Sequence, residues 1–414
     1  MAVEYPLFRK TTLGNGVRVV SEAIPSVRSI SVGVWIGTGS RDEADPESGI
    51  SHFIEHMVFK GTEKRRTHHI AQRMESVGGY LNAFTSKEYT CYYARALDEH
   101  LQRAIETVAD LVVSPKFPSK ELEKEKDVVL EEMKMYEDNP EDLIFDRFEG
   151  VIYRNHELGR PVIGFPETVS AFRREQLIDY IDRTYTPDHI VLAVAGNVDH
   201  DQVVRYAEKA FASIADRRGM PTRSPINGYS PEEVVEQRPI QQAHVVLGTR
   251  GVDIHNEDRV AVTVLNTILG GGMSSRLNQN IRERYGFCYN VYSFVNMHSD
   301  TGDFGVYIGT DAENVERSRK LILRELQRLV DTPVSARMLS QAKNQVRGSI
   351  MLGLESMSNR MMRIGRQELF FERYLSLDEI NADVDGVTAD DVQRVAADLF
   401  DPENFSTVVL LPAN

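Results

Sequence analysis

Hydrophobic and polar positions along this chain follow two different periods. Apolar and polar residues alternate in some segments, which is typical of strands, and apolar residues recur every three or four positions in others, which is typical of helices. In the first half, the predicted strands are residues 17–22, 30–37, 89–96 and 190–195. The predicted helices lie near residues 49–59, 68–77, 100–113 and 119–137. We therefore expect an α+β fold, a mostly antiparallel sheet with helices packed on one face.

The order of predicted elements occurs twice in the chain. Residues 176–197 contain an amphipathic helix that ends in an aromatic residue, then a proline and an apolar strand that runs to an asparagine, and residues 391–414 repeat this order. A second pair begins at Arg73 and Asn280, where each copy has a helix end, a glycine, two alternating strands and a long helix. Both pairs are separated by roughly 210 residues, which indicates a duplicated domain.

The boundary between the two copies is a segment without a hydrophobic period. Residues 217–231 are rich in proline, glycine and serine, a composition typical of a linker. We predict a first domain at residues 1–216 and a homologous second domain at residues 232–414.

Composition and charge exclude several classes of function. No apolar run approaches the roughly 18 residues that a membrane span requires. The net charge of -14, from 62 acidic and 48 basic residues, argues against binding to a nucleic acid backbone. The first 15 residues show no secretory or organellar targeting pattern, and two cysteines are too few for a disulfide framework. We expect a cytoplasmic protein that binds neither nucleic acid nor membranes.

The motif with the most specific chemistry is His-x-x-Glu-His, formed by His52, Glu55 and His56. Residues four apart share one face of a helix, so both imidazoles can bind one Zn²⁺. Glu55 projects beside them. An exposed ion-paired turn is the alternative, but the surrounding helix is apolar, and burial of three unpaired ionisable groups would cost several kcal/mol. A metal ion removes that cost.

Two histidines leave a catalytic zinc one protein ligand short. The predicted helix at residues 119–137 offers several carboxylates, and two of them, Glu125 and Glu132, lie two turns apart on one face. Most acids on such a helix form a solvated surface. The pattern alone does not select among Glu121, Glu125, Glu131 and Glu132.

Five segments, the first of which contains the motif, place it in a known context. They are GISHFIEHMVFKGT, GGYLNAFTSKEYTCYY, EKEKDVVLEEM, HELGRPVIG and LGGGMSSRLNQNIRERYGFCYNVYS. With these segments in order, the chain resembles the pitrilysin-like inverzincin zinc metallopeptidases over essentially its whole length. It is most similar to the branch of the mitochondrial processing peptidase, as a bacterial-type member with two domains.

The resemblance implies a role for each residue of the metal site. The zinc ion would be held by His52, His56 and Glu132, one ion per chain, and Glu125 would be a supporting catalytic carboxylate. Glu55 would be the general base that takes a proton from water and returns it to the leaving amine.

Substrate contacts are also implied by the resemblance. The edge strand that binds an extended peptide would contain Asn82, Ala83 and Phe84, and its backbone pairing would favour unfolded peptides of varied sequence. In the second domain, Arg282 and Tyr289 would reach the scissile carbonyl and stabilise the oxyanion.

The second copy lacks the metal-binding side chains. Residues 261–271 align with residues 51–61 and retain no histidine or glutamate of the motif. The glycines at 270–272 resemble a phosphate-binding loop, but no lysine follows, so a turn between helices is the better interpretation.

The function expected from these observations is zinc-dependent endopeptidase activity. Peptides or unfolded polypeptide segments would be hydrolysed inside a chamber that a second copy closes, as a homodimer. Two alternatives remain: a non-catalytic chamber subunit of the same fold, and an active subunit that requires a different partner. The intact motif argues against the first.

Overall fold

The computed structural model describes residues 7–214, 219, 222–226 and 228–413, apart from the side chain of Leu7. Part of the predicted linker at residues 217–231 therefore lies outside the described residues, as do the ends of both predicted domains. The chain forms two compact units that are discontinuous in sequence. Unit 1 comprises Met1–Met133, Arg160–Ser224 and Gly353–Tyr374, and unit 2 comprises Lys134–Gly159, Pro225–Leu352 and Leu375–Asn414. Each unit thus includes a segment from the other half of the chain, which the prediction of continuous domains did not contain.

Unit 1 is built on a six-stranded sheet. Its strands are β1 (Leu7–Thr12), β2 (Arg18–Ala23), β3 (Ser29–Ile36), β4 (Tyr80–Thr85), β5 (Thr90–Leu97) and β6 (Ile190–Gly196). Their order across the sheet is β1-β2-β6-β3-β5-β4, and every pair is antiparallel except β2 with β6. The strand β4 is therefore at an edge and offers backbone groups for further pairing.

Eight helices belong wholly or mostly to the described part of unit 1. They are α1 (Ile50–Val58), α2 (Thr67–Glu75), α3 (Leu101–Val113), α4 (Ser119–Asp138), α6 (Pro166–Ala171), α7 (Arg174–Thr184), α8 (His200–Ala210) and α12 (Met357–Phe371). On one face of the sheet, Ile30, Val32 and Val34 of β3 belong to a core that also includes residues of α1, α3 and α7. Their burial drives the packing of these helices.

The opposite face of this sheet is covered by α12, which comes from the second half of the chain. Its residues Met361 and Ile364 form a second core with Trp35, Val191 and Ala193. Because β3 is buried on both faces, its sequence SISVGVWI is nearly all apolar rather than strictly alternating.

The helix α12 approaches the sheet closely because Gly365 faces the indole of Trp35. A Cβ atom at Gly365 would lie 2.2 Å from Trp35 Nε1 and 2.5 Å from Cε2. The same helix is joined to β2 by ion pairs: Arg360 and Arg363 each lie 3.1 Å from a carboxylate oxygen of Glu22. Glu22 is fully buried.

We expect Gly365→Ala to destabilise unit 1 by about 1 to 3 kcal/mol, because the added methyl group must displace Trp35 or the helix. Gly348→Ala is a matched control in α11 (Ala336–Gly353), since its Cβ would have no atom within 4 Å. That control should be neutral or stabilising by up to about 1 kcal/mol, as in other helix interiors. Thermal unfolding of both variants measures the difference. Equal midpoints would show that the sheet tolerates a larger residue at 365.

Unit 2 repeats the sheet topology of unit 1 without the first strand. Its strands are β7 (Glu233–Arg238), β8 (Ala243–Gly251), β9 (Cys288–Met297), β10 (Gly302–Thr310) and β11 (Ser406–Pro412), in the order β7-β11-β8-β10-β9. Its helices are α5 (Pro140–Ile152), α9 (Arg259–Gly270), α10 (Val315–Asp331), α11, α13 (Leu377–Gly386) and α14 (Ala389–Leu399). As β6 is parallel to β2 and antiparallel to β3, so β11 is parallel to β7 and antiparallel to β8.

The predicted fold class, α+β with two homologous sheets, is confirmed. In addition to the predicted helical layer, each sheet carries one helix on its other face, α12 in unit 1 and α5 in unit 2. Both come from the other half of the chain. In the described residues, no helix combines the length and the apolar composition that a membrane crossing needs.

Candidate metal centre

The His-x-x-Glu-His motif lies on α1, as its spacing predicts. Phe53, Ile54 and Met57 are fully buried in the core of unit 1, whereas the three ionisable side chains lie on the half-buried face of the helix. The helix therefore anchors the site through its apolar face and presents His52 and His56 about one turn apart.

The start of α1 is held by the buried carboxyl group of Glu43. Glu43 accepts hydrogen bonds from the backbone N–H groups of Gly49 and Ser51, both at 2.8 Å. These are groups at the helix start that have no partner within the helix. Burial raises the pKa of Glu43 to about 8, against the lowering effect of these hydrogen bonds. Gly49 has φ of 91°, a left-handed conformation that a glycine adopts without strain.

The candidate third ligand comes from α4, and the structure selects one of the four carboxylates. Leu122, Val129 and Met133 bury one side of this helix together with Glu125, and Glu132 is half-buried. In contrast, Glu121 pairs with Lys124 on the surface at 2.8 Å.

His52, His56 and Glu132 form a cluster whose candidate ligand atoms all lie within 4.8 Å of one another. Glu132 Oε2 is 3.4 Å from His56 Nε2 and 3.9 Å from His52 Nε2. Tetrahedral zinc ligands with bonds near 2.0 to 2.1 Å would be about 3.3 Å apart, so these separations are close to those of a zinc site. No other such cluster is found among the described residues.

A second layer of side chains orients His56. Its Nδ1 lies 2.9 Å from Glu125 Oε1, and the other carboxylate oxygen of Glu125 is 2.7 Å from Lys60 Nζ. A hydrogen bond donated by Nδ1 leaves the lone pair of Nε2 directed at the cluster. Burial favours a raised pKa for Glu125, but its hydrogen bonds with His56 and Lys60 prevail and the pKa is lowered. Glu125 is therefore ionised and accepts both bonds.

The protonation of the two histidines indicates that the cluster suits a cation. Burial, followed by the charge of His56, lowers the pKa of His52 to about 3, so this imidazole is neutral. Burial opposes the charged form of His56 too, but Glu125 and Glu132 outweigh it and raise its pKa. Carboxylates thus favour a positive charge between these side chains. A zinc ion supplies that charge and binds neutral imidazoles, so the residues fit the metal.

Glu55 lies beside the cluster without belonging to it. Its Oε2 accepts a hydrogen bond of 2.6 Å from the hydroxyl of Thr85, the last residue of β4. Burial raises the pKa of Glu55, which outweighs the lowering by that hydrogen bond. A carboxylate with a raised pKa, next to a metal site and not one of the candidate ligands, has the properties of a general base.

The segment implied to bind substrate is the edge strand β4. Asn82 is exposed, Ala83 is buried and Phe84 is half-buried. The side chain of Asn82 accepts a hydrogen bond from the Ala83 N–H at 2.9 Å. The position at a sheet edge is the one that strand addition requires, and peptide binding there stays a prediction.

Arg282 and Tyr289 lie close together in unit 2. Arg282 is in a π-helical turn, Asn278–Glu283, and Tyr289 is in β9. The guanidinium carbon is 5.9 Å from the ring centroid of Tyr289, whose side chain is 81% exposed. On α9, the positions that correspond to His52, Glu55 and His56 are occupied by Val262, Leu265 and Asn266. Contact of Arg282 and Tyr289 with a substrate stays a prediction.

Three residues that support α1 or the site were not predicted from the sequence: Glu43, Lys60 and Thr85. Lys60 lies in the turn after α1, four residues after His56, and its contact with Glu125 depends on the packing of α4 against α1. Glu43 and Thr85 come from other segments and carry no local signal. The alternation of the strand that includes Ala83 does predict that Thr85 shares its face.

Known proteins resemble this chain in both halves. Residues 18–165 match the family described as Insulinase (Peptidase family M16), and residues 171–346 match the Peptidase M16 inactive domain. A Bacillus subtilis protein named as an uncharacterized zinc protease is 40% identical over 407 residues, which cover 98% of this chain and 99% of the relative. A Mycobacterium leprae protein of the same description is 42% identical over 408 residues, covering 97% of this chain and 91% of the relative.

Two solved structures have the same fold. A protease from Helicobacter pylori has a TM-score of 0.93 at 24% identity and covers 99% of this chain and 100% of its own. A peptidase M16 inactive domain from Pseudomonas fluorescens has a TM-score of 0.90 at 20% identity, covering 99% and 98%. These structures match the fold of this chain over nearly its whole length. The chain belongs to peptidase family M16, and the resemblance noted in its sequence is confirmed at that level.

Proposed function

We propose that this chain is a zinc-dependent endopeptidase that hydrolyses peptides or unfolded polypeptide segments. The observation that carries the proposal is the meeting of His52, His56 and Glu132 with Glu55 beside them. Three ligands plus an adjacent carboxylate that is free of the metal are the parts that metal-assisted peptide hydrolysis requires. The relatives from Bacillus subtilis and Mycobacterium leprae are named zinc proteases, which supports the proposal of zinc-dependent peptidase activity.

Each residue of the site has a distinct task in this mechanism. When bound, Zn²⁺ lowers the pKa of a water molecule in its open position and polarises the peptide carbonyl. Glu55 accepts the proton of the attacking water and returns it to the leaving amine. Glu125 and Lys60 hold His56 in the tautomer that binds metal through Nε2. An extended substrate pairs with the backbone of β4, which reads conformation more than side-chain identity.

The non-catalytic chamber subunit is the weaker candidate. A subunit without activity has no need to keep a general base apart from its metal ligands. Here Glu55 accepts a hydrogen bond from Thr85 and is not one of the candidate ligands. An inert structural zinc site would not require a carboxylate held in this way.

Cleavage of an unstructured peptide by the purified full chain tests the proposal. We expect hydrolysis of internal bonds, loss of activity with a zinc chelator, and recovery on addition of one equivalent of Zn²⁺. A compactly folded protein of similar composition, incubated in parallel, should remain intact. Hydrolysis that continues unchanged in the chelator, after metal analysis shows zinc to be absent, would contradict a zinc mechanism. A zinc-loaded protein that cleaves no peptide would favour the non-catalytic alternative.

We also propose that two copies of this chain form the active enzyme, with Arg282 and Tyr289 of one copy acting at the metal site of the other. The support is the resemblance to the processing peptidase branch and the exposure of Tyr289. Glu55→Gln and the double variant Arg282→Ala, Tyr289→Phe should each give a nearly inactive homodimer.

Co-expression of these two variants at equal levels tests the assembly. Free assortment gives half mixed dimers with one intact site of two, so about a quarter of wild-type activity should return. A site made by one chain predicts no recovery, because every chain carries a lesion. Tagged mixed dimers that are as inactive as the mutant homodimers would refute the shared site.

A further inference from the structure

The hydrogen bond between Thr85 and Glu55 joins two elements that are far apart in sequence. Thr85 Oγ1 donates to Glu55 Oε2 at 2.6 Å, across 30 positions of the chain. Glu55 belongs to α1, and Thr85 ends the edge strand β4, where its backbone is paired with Thr90 of β5. Both side chains are half-buried, so solvent competes little for the bond.

Glu55 needs a hydrogen bond to fix its side chain more than the three candidate metal ligands do. A bound metal ion would fix the side chains of His52, His56 and Glu132, but it would not hold a carboxylate that must stay free to accept a proton. A glutamate side chain has three rotatable bonds, and its plane determines which oxygen meets the water. A hydrogen bond to an ionised carboxylate is short and directional, so it restricts that plane.

We propose that Thr85 is the positioning residue of the general base: its hydroxyl holds Oε2 of Glu55 and thereby presents Oε1 to the attacking water. This inference rests on the proposed peptidase function. Because the hydroxyl belongs to β4, the strand that pairs with the substrate in that proposal also fixes the base. The position of the base therefore depends on an ordered β4, and not only on α1.

A positioning role for Thr85 predicts an effect on turnover, with little effect on zinc binding or substrate binding. The hydroxyl of Thr85 donates to Glu55, which is not a candidate ligand, so its loss should not alter zinc affinity. Its side chain lies on the strand face directed at Glu55, whereas substrate pairing uses backbone groups, so KM should change little. Loss of the hydroxyl should appear in kcat, because misplacement of a reacting group raises the barrier of the chemical step.

Kinetics of Thr85→Val on an unstructured peptide tests the inference, since valine keeps the shape and removes the hydroxyl. We expect kcat to fall about 10- to 100-fold with KM within about twofold of wild type. Zinc content should remain one per chain. Thr85→Ser, which restores a hydroxyl, should recover most of the loss. Thr85→Ala provides a second variant without a hydroxyl, should the valine variant fold poorly.

Thr90→Val is the matched control. Thr90 is the cross-strand partner of Thr85, and its hydroxyl donates to the backbone oxygen of Thr38 at 3.0 Å without contact to Glu55. The Thr90→Val variant therefore loses a buried hydrogen bond made by the cross-strand neighbour of Thr85, and it should keep the wild-type kcat even with a lower unfolding midpoint. A Thr85→Val variant with wild-type kcat, or a serine variant as impaired as valine, would overturn the positioning role. A zinc-loaded wild type that cleaves nothing would instead overturn the proposed function.

Discussion

Glu55→Gln should abolish nearly all peptide hydrolysis while the protein keeps its zinc. Glutamine has the size of glutamate but cannot accept the proton of the attacking water, and removal of a general base costs about 10²- to 10⁴-fold in kcat. Because Glu55 is not among the candidate ligands, metal content should stay at one zinc per chain. Steady-state kinetics and metal analysis on the same preparation give both quantities.

The control for this variant is Glu123→Gln on α4. The side chain of Glu123 is 71% exposed and forms an ion pair with Lys126 at 3.0 Å. Its loss should leave kcat and zinc content unchanged. If Glu55→Gln emptied the metal site, Glu55 would be a ligand and its assignment as the base would be wrong.

The two carboxylates of α4 should differ in their effect on zinc affinity. Glu132→Gln removes a charged ligand, and we expect zinc affinity to fall by more than about 100-fold. Glu125→Gln keeps the three ligands but weakens the hydrogen bond that orients His56, a loss of about 10- to 100-fold. Competition with a chromophoric chelator measures both affinities.

A further variant distinguishes the effect of Lys60 on zinc affinity from the effect of Glu125. Lys60→Met should weaken zinc binding less than Glu125→Gln, since it removes the partner of Glu125 and not the contact with His56. Equal affinities for the Glu132→Gln and Glu125→Gln variants would show that the third ligand has been misplaced.

Local periodicity predicted the parts of the fold that depend on neighbours in sequence. The apolar positions that define the helix α1 and the strand β3 all lie within each segment itself. The structure places the ends of both elements within one or two residues of the predicted ends. The helices α5 and α12 were not placed, because their position depends on contacts with a sheet formed by distant residues. The fit of Gly365 against Trp35 is such a contact, and it has no signature in either segment.

In the candidate metal site, too, the sequence predicts what depends on neighbouring residues and not what depends on distant contacts. The spacing of His52 and His56 follows from one helix, so sequence predicts their common face. The candidate third ligand lies on another helix with several acids, where the pattern alone leaves four glutamates open and the resemblance implies Glu132. The structure places a carboxylate oxygen of Glu132 3.4 Å from His56 Nε2. Thr85 could not be assigned to Glu55 from sequence, since it requires the packing of β4 against α1.

The central claim is that one zinc ion is held by His52, His56 and Glu132. An anomalous difference map, recorded from crystals of the zinc-loaded full chain on both sides of the zinc absorption edge, tests it most directly. The account predicts one strong peak per chain within about 2.0 to 2.2 Å of His52 Nε2, His56 Nε2 and a carboxylate oxygen of Glu132. A map with no peak at these atoms, or with its peak on other side chains, would contradict it.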